Sequence, residues 1–81
     1  MKIFSYKGKG NVSGDRIREL RQKARLSQSA LAAKMQVEGV VMEQDAVSRI
    51  ERGERIVTDY ELLALTRLFN TSTDWLIGAK D

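Results

Sequence analysis

From position 13 onward, apolar residues in this chain recur every three or four positions and rarely alternate. That spacing predicts helices rather than strands. Ser13 or Gly14 opens a first helix whose inward face is Ile17, Leu20 and Ala24. The run "RLS" ends it. Ser27 then caps a second helix, "QSALAAKM", with Leu31 and Met35 inward and with Ala32 and Ala33 small enough to let a neighbouring helix approach. Gly39 is a natural left-handed stop. A third helix is predicted over 44–52, with Gly53 as its stop. Thr58 followed three residues later by Glu61 has the form of a capping box. It opens a fourth helix with the stripe Leu62, Leu65, Thr66 and Phe69, closing near Asn70. Ser72 or Thr73 caps a last turn, "DWLIG". Five short helices joined by brief connections make a compact all-α domain over residues 13–81.

Residues 1–12, "MKIFSYKGKGNV", have no helical period and read as a flexible basic N-terminal arm. A short strand through Ile3, Phe4 and Tyr6 is the alternative. The stretch "GKGNVSG" superficially suggests a phosphate loop. Its glycines fall at 8, 10 and 14, off the dinucleotide spacing, and the chain is too short for the sheet such a loop needs.

On a helical wheel the third helix divides cleanly. Ala46, Val47 and Ile50 fall on one side and form the core face; Gln44, Asp45, Ser48, Arg49 and Arg52 lie opposite. An amide, a carboxylate, a hydroxyl and guanidinium groups can read base edges in a major groove: Arg to guanine, Gln to adenine, Asp to the cytosine amine. The bland alternative is a solvated helix face. The acidic Glu43 and Asp45 sit in the first turn, where a carboxylate complements the positive end of the helix dipole. Asp45 can also accept from cytosine and repel phosphate in a wrong register.

Composition narrows the options. The 81 residues contain no cysteine, histidine or proline. Disulfides, thiolate metal sites and imidazole bases are therefore excluded, and with them catalytic triads; no enzyme activity, metal or cofactor is expected. No apolar run approaches the roughly 20 residues needed to span a bilayer, and "MKIFSY" lacks the apolar stretch of a secretion signal. A cytoplasmic protein with no membrane partner is expected, and no small-molecule ligand is evident. The net charge of +3 is uneven: residues 1–34 hold nine Lys/Arg against two Asp/Glu, and the remainder five against nine. A basic N-terminal half suits a polyanionic partner.

The segments "RIRELRQKARLSQSALAAKM", "VSRIERGER" and "ELLALTRLFNTSTDWLIG", in that order over roughly residues 14–78, resemble the Cro/repressor-type (XRE) helix-turn-helix regulators. The resemblance implies a repressor-like five-helix domain in which helices two and three form the helix-turn-helix. It implies base reading by Gln44, Asp45, Ser48 and Arg49. It implies phosphate contacts from Ser27, Gln28, Arg52 and Arg55, with Gln28 also bracing the recognition helix. Arg21 and Glu51 match a semi-buried ion pair tying helix one to helix three. Trp75 and Leu76 match an apolar pair of the last helix. One departure stands out: the connection between helices two and three is lengthened by residues within "QVEGVVM". These read as an extra turn of helix two, stopped by Gly39, with Val40 or Val41 folded back onto the core. A protruding loop is the alternative.

The function implied is a sequence-specific, double-stranded DNA-binding transcriptional regulator, a repressor, working as a homodimer on an inverted repeat. Ile77 is the expected exposed apolar contact of the dimer. The competing reading is an antitoxin-like or anti-regulator module whose main partner is a protein. Such a module would carry apolar anchors on the outer face of helix three, and that face has none.

Overall fold

The structure, a computed structural model, describes residues 5–81; the first four positions of the expected arm, with Lys2, Ile3 and Phe4, lie outside the described residues. Five helices follow in order: α1 (Gly14–Lys23), α2 (Gln28–Val37), α3 (Gln44–Glu51), α4 (Asp59–Phe69) and α5 (Thr73–Leu76). The expected all-α, repressor-like five-helix architecture is what forms.

Four of the five helix starts are satisfied by a side chain; at α3 the cap residue, Glu43, makes no side-chain cap bond. The Ser27 and Ser72 hydroxyls accept from the N–H groups of Ala30 and Trp75. Thr58 and Glu61 form the full reciprocal capping box. α1 differs: Ser13 occupies the cap position without a side-chain bond, and the Asn11 side-chain oxygen Oδ1 accepts from Gly14 N–H at 2.8 Å instead.

Helix ends are closed by left-handed residues. At the end of α2, Gly39 has φ +88°, with its N–H on the Gln36 carbonyl and the Val40 N–H on the Met35 carbonyl. This paired closure turns the chain back on itself and drives the next residue into the core. Val40 is buried, whereas Val41 is 87% exposed. The lengthened connection is thus one extra turn with a folded-back valine, and the folded-back residue is Val40. Arg25 closes α1 in the same way at φ +57° without being glycine. Because α1 stops at Lys23, Ala24 caps it and is exposed; its assignment to the inward face is corrected. Ala33 is exposed as well, and Ala32 alone supplies the small buried position on α2.

The core gathers Ile17 of α1, Leu31 and Met35 of α2, Val47 and Ile50 of α3, Leu65 of α4 and Leu76 of α5, closed by Val40 and Met42 from the connection. Every helix contributes, so the orientation of α3 is set by packing on its inner face. Burying each such side chain contributes about 1.5–3 kcal/mol. The outer face of α3 is left to solvent.

Candidate nucleic-acid interface

α3 is a short platform with the α2 N-terminus beside it. Gln44, Asp45 and Arg49 are exposed on its outer face, and Ser48 is half-buried. The structure therefore brings the four expected base-reading residues to one surface. Among the described residues no side-chain bond holds Arg49, which leaves its guanidinium fork available. The Ser48 hydroxyl accepts from Arg52, whose guanidinium also pairs with Glu54 at 3.1 Å.

Beneath this face lies a polar relay. Gln44 Nε2 donates to Gln28 Oε1 at 3.1 Å, and Gln28 Nε2 donates to Glu51 Oε1, also at 3.1 Å. The Glu51 carboxylate, fully buried, takes two bonds from Arg21 (2.6 and 3.0 Å) and one from Arg18 (3.3 Å). Arg21 in turn donates to the Leu26 carbonyl at 2.8 Å, fixing the end of α1. Burial pushes the Glu51 carboxyl up, but the donors from Arg21, Gln28 and Arg18 outweigh it and hold it below its ordinary range. The same contact keeps the Arg21 guanidinium more firmly charged. The expected Arg21–Glu51 pair is present. Two further donors, Arg18 and Gln28, converge on it, so a lone buried charge is avoided.

Ser27 is exposed at the start of α2, its hydroxyl engaged with Ala30 N–H and 3.2 Å from Ser29 Oγ. A helix start of this kind offers backbone N–H groups and the positive dipole end to an anion.

Arg55 is placed differently from its neighbours. Its Nη1 and Nη2 donate to the two oxygens of Glu61, each at 3.0 Å, and Nη1 also donates to the Ile56 carbonyl at 2.9 Å. Glu61, almost wholly buried, accepts from Thr58 N–H at 2.9 Å as well. Burial raises the Glu61 carboxyl, and the Arg55 and Thr58 bonds outweigh that and lower it. Three of Arg55's five N–H groups are thus committed to Glu61 and to the Ile56 carbonyl.

Several of these contacts escaped the sequence reading. Arg55 and Glu61 flank a turn and share no helical period. Arg18 stands one turn before Arg21, the single sign that it would face the same partner. Arg16 donates to the Trp75 and Lys80 carbonyls at 2.8 and 3.0 Å and stacks 4.6 Å from the Trp75 ring centroid, tying α1 to the C-terminal turn. Nothing in the spacing of residue 16 and residue 75 announces that pairing.

Two helices joined by a turn, the first set at its N-terminus against the second, whose outer face is polar and open, make a helix-turn-helix unit. A family model described as a helix-turn-helix domain matches residues 14–76, and the chain belongs to that family. Among solved structures it is similar to the P22 c2 repressor protein, crystallised in complex with synthetic operator 9T in the presence of Tl+: 33% sequence identity, TM-score 0.70, covering 86% of this chain and 98% of that one. No curated protein matches the chain. The Cro/repressor-type resemblance read from the sequence is borne out by both findings.

Proposed function

We propose that this protein is a transcriptional repressor that binds double-stranded DNA with α3 in the major groove. The observation carrying this reading is the outer face of α3: Gln44, Asp45, Ser48 and Arg49 stand together on a helix locked from behind by the Gln28–Glu51–Arg21 relay. Arg49 is the bidentate guanine reader, Gln44 the adenine reader and Asp45 a cytosine acceptor. Ser27, Gln28, Arg52 and the remaining N–H groups of Arg55 hold backbone phosphates and set the register. The similarity to the P22 c2 repressor, crystallised in complex with a synthetic operator, supports a DNA ligand for this protein. The absence of large apolar anchors on this face disfavours the protein-interaction reading.

One α3 of eight residues is about 12 Å long and covers only a few base pairs. A homodimer on an inverted repeat doubles the readout, with half-sites about 34 Å apart. Ile77, 43% exposed beside the buried Leu76, is the proposed apolar contact between copies. No helix among the described residues is long and apolar enough to cross a membrane, and a cytoplasmic place beside DNA fits the proposed role.

Fluorescence anisotropy with a duplex enriched from a random pool, against a scrambled duplex of equal length, tests the reading. Binding to the enriched duplex should be at least about a thousandfold tighter. Equal binding to both duplexes would refute sequence-specific recognition.

A further inference from the structure

The segment leading into α1 carries its own small structure. Tyr6 and Lys9 exchange both backbone bonds, Tyr6 N–H to the Lys9 carbonyl at 2.7 Å and Lys9 N–H to the Tyr6 carbonyl at 3.0 Å. Lys7 and Gly8 between them have φ +51° and +83°. Two left-handed central residues are the mark of a two-residue hairpin of type I′. Asn, Asp or Gly is the relaxed choice at the first of these positions, and a lysine there is strained. A cation held in a strained tip is an outlier of the kind that marks function.

The hairpin is pinned to the end of α3. Gly10 N–H donates to the Gly53 carbonyl at 2.7 Å, and Asn11 Nδ2 donates to the carbonyls of Ile50 (3.0 Å) and Arg55 (2.7 Å). The fit is close: a β-carbon on Gly10 would lie 3.2 Å from the Arg55 backbone nitrogen, and one on Gly53 would lie 3.3 Å from the Lys9 stem. Lys7, Lys9 and Arg52 consequently border one hollow between the hairpin and the α3 terminus. The nearest acid to Lys9 is Asp15, at 4.0 Å with 81% of its side chain exposed, a pair that water largely screens. The backbone that carries Lys7 and Lys9 is thus pinned beside the C-terminal end of α3, where Arg52, itself paired with Glu54, borders the same hollow.

We infer that the Tyr6–Lys9 hairpin is a fixed phosphate-binding finger. It grips the DNA backbone beside the C-terminal end of α3 through Lys7 and Lys9. This rests on the DNA-binding reading above. The finger supplies affinity without sequence preference, because it meets phosphates and not base edges. Asn11 and Gly10 are positioning residues: they hold the lysines at a set distance from α3.

Salt titrations of duplex binding test the finger, using the enriched and the scrambled duplex with three proteins. The double variant Lys7→Gln/Lys9→Gln, altered only at exposed positions, should flatten the slope of log affinity against log salt by about 1.8, from about 0.9 per phosphate contact. It should do so on both duplexes, leaving their affinity ratio as in the wild type. Gly10→Val keeps both lysines but pushes the hairpin off the Arg55 backbone, and it should flatten the slope in the same direction. A wild-type slope in the lysine variant would overturn the proposal. A wild-type slope in Gly10→Val, with a flattened one in the lysine variant, would show a free arm and overturn the fixed finger. A wild-type protein with no salt-dependent duplex binding would sink the DNA-binding reading itself, a result distinct from either.

Discussion

Gln44, the first residue of α3, donates its side-chain amide to Gln28, the first residue of α2, at 3.1 Å. Because Gln28 also donates to the buried Glu51, the tip of the outer face of α3 is continuous with the polar interior. The helix that carries the proposed reading residues is therefore held at its start by a side chain and at its end by a carboxylate.

Removing that carboxylate should be costly. Glu51→Ala leaves Arg21, mostly buried, without its partner, and strands Gln28 as well. Loss of one member of a buried pair costs about 3–5 kcal/mol, a large share of a small domain's stability. Urea denaturation should show a midpoint far below the wild type with the slope unchanged. An unchanged midpoint would mean the relay contributes nothing to folding.

Acid should unfold the protein for the same reason. Glu51 and Glu61 both have carboxyl pKa values lowered in the fold. A lowered folded-state value gives stability that is complete above the unfolded value, about 4.3 for Glu, and is lost as pH falls through the folded value. The melting temperature should hold steady from neutral pH to about pH 5 and then fall, in a window set by carboxylates because the chain has no histidine. Glu61→Gln should lower stability at neutral pH and narrow the difference from wild type as the pH drops. A difference that is constant with pH would contradict a lowered Glu61.

Arg55→Ala should act on the fold before it acts on binding. The variant strips both bidentate bonds from Glu61 and leaves only the Thr58 N–H on a buried carboxylate. A loss of about 3 kcal/mol is expected, and Arg55→Lys should recover part of it, since one ammonium cannot match the fork. Calorimetry on the free protein checks this. A melting curve like the wild type, with weakened DNA binding, would place Arg55 wholly at the phosphate backbone.

Dimerisation should depend on Ile77. Leu76 is fully buried, and Ile77 follows it at the exposed C-terminal end of α5. Ile77→Asp should sediment as a monomer where the wild type shifts toward a dimer, and should bind a full inverted repeat hardly better than one half-site. A variant that still dimerises moves the interface elsewhere, with the exposed Tyr60 and Leu63 on α4 the next positions to examine.

The sequence displayed the elements well because local signals agree with the fold. Ser27, Thr58 with Glu61, Gly39 and Gly53 each mark a helix boundary through short-range chemistry, and each stands where that chemistry places it. Ala24 was misplaced because Arg25 ends α1 in a left-handed conformation that arginine rarely adopts, so no glycine announced the stop. The relay behind α3 was half legible: Arg21 with Glu51 follows a family pattern, while Arg18 joins from one turn away. The Arg55–Glu61 and Arg16–Trp75 contacts depend on how the helices dock. Asn11 is the clearest omission. An unpatterned segment gave no reason to expect one amide to join residues 14, 50 and 55.

The most direct test of base reading by α3 is site selection from a random duplex pool by the wild type and by Arg49→Ala, followed by affinity measurements on the winning sequence. The wild type should enrich an inverted repeat with a fixed guanine in each half. Arg49→Ala should lose that guanine, cost about 1–3 kcal/mol on the selected site and bind scrambled DNA as the wild type does. A wild type that enriches nothing, or an Arg49→Ala protein that enriches the same repeat with the same affinity, would contradict recognition by this face.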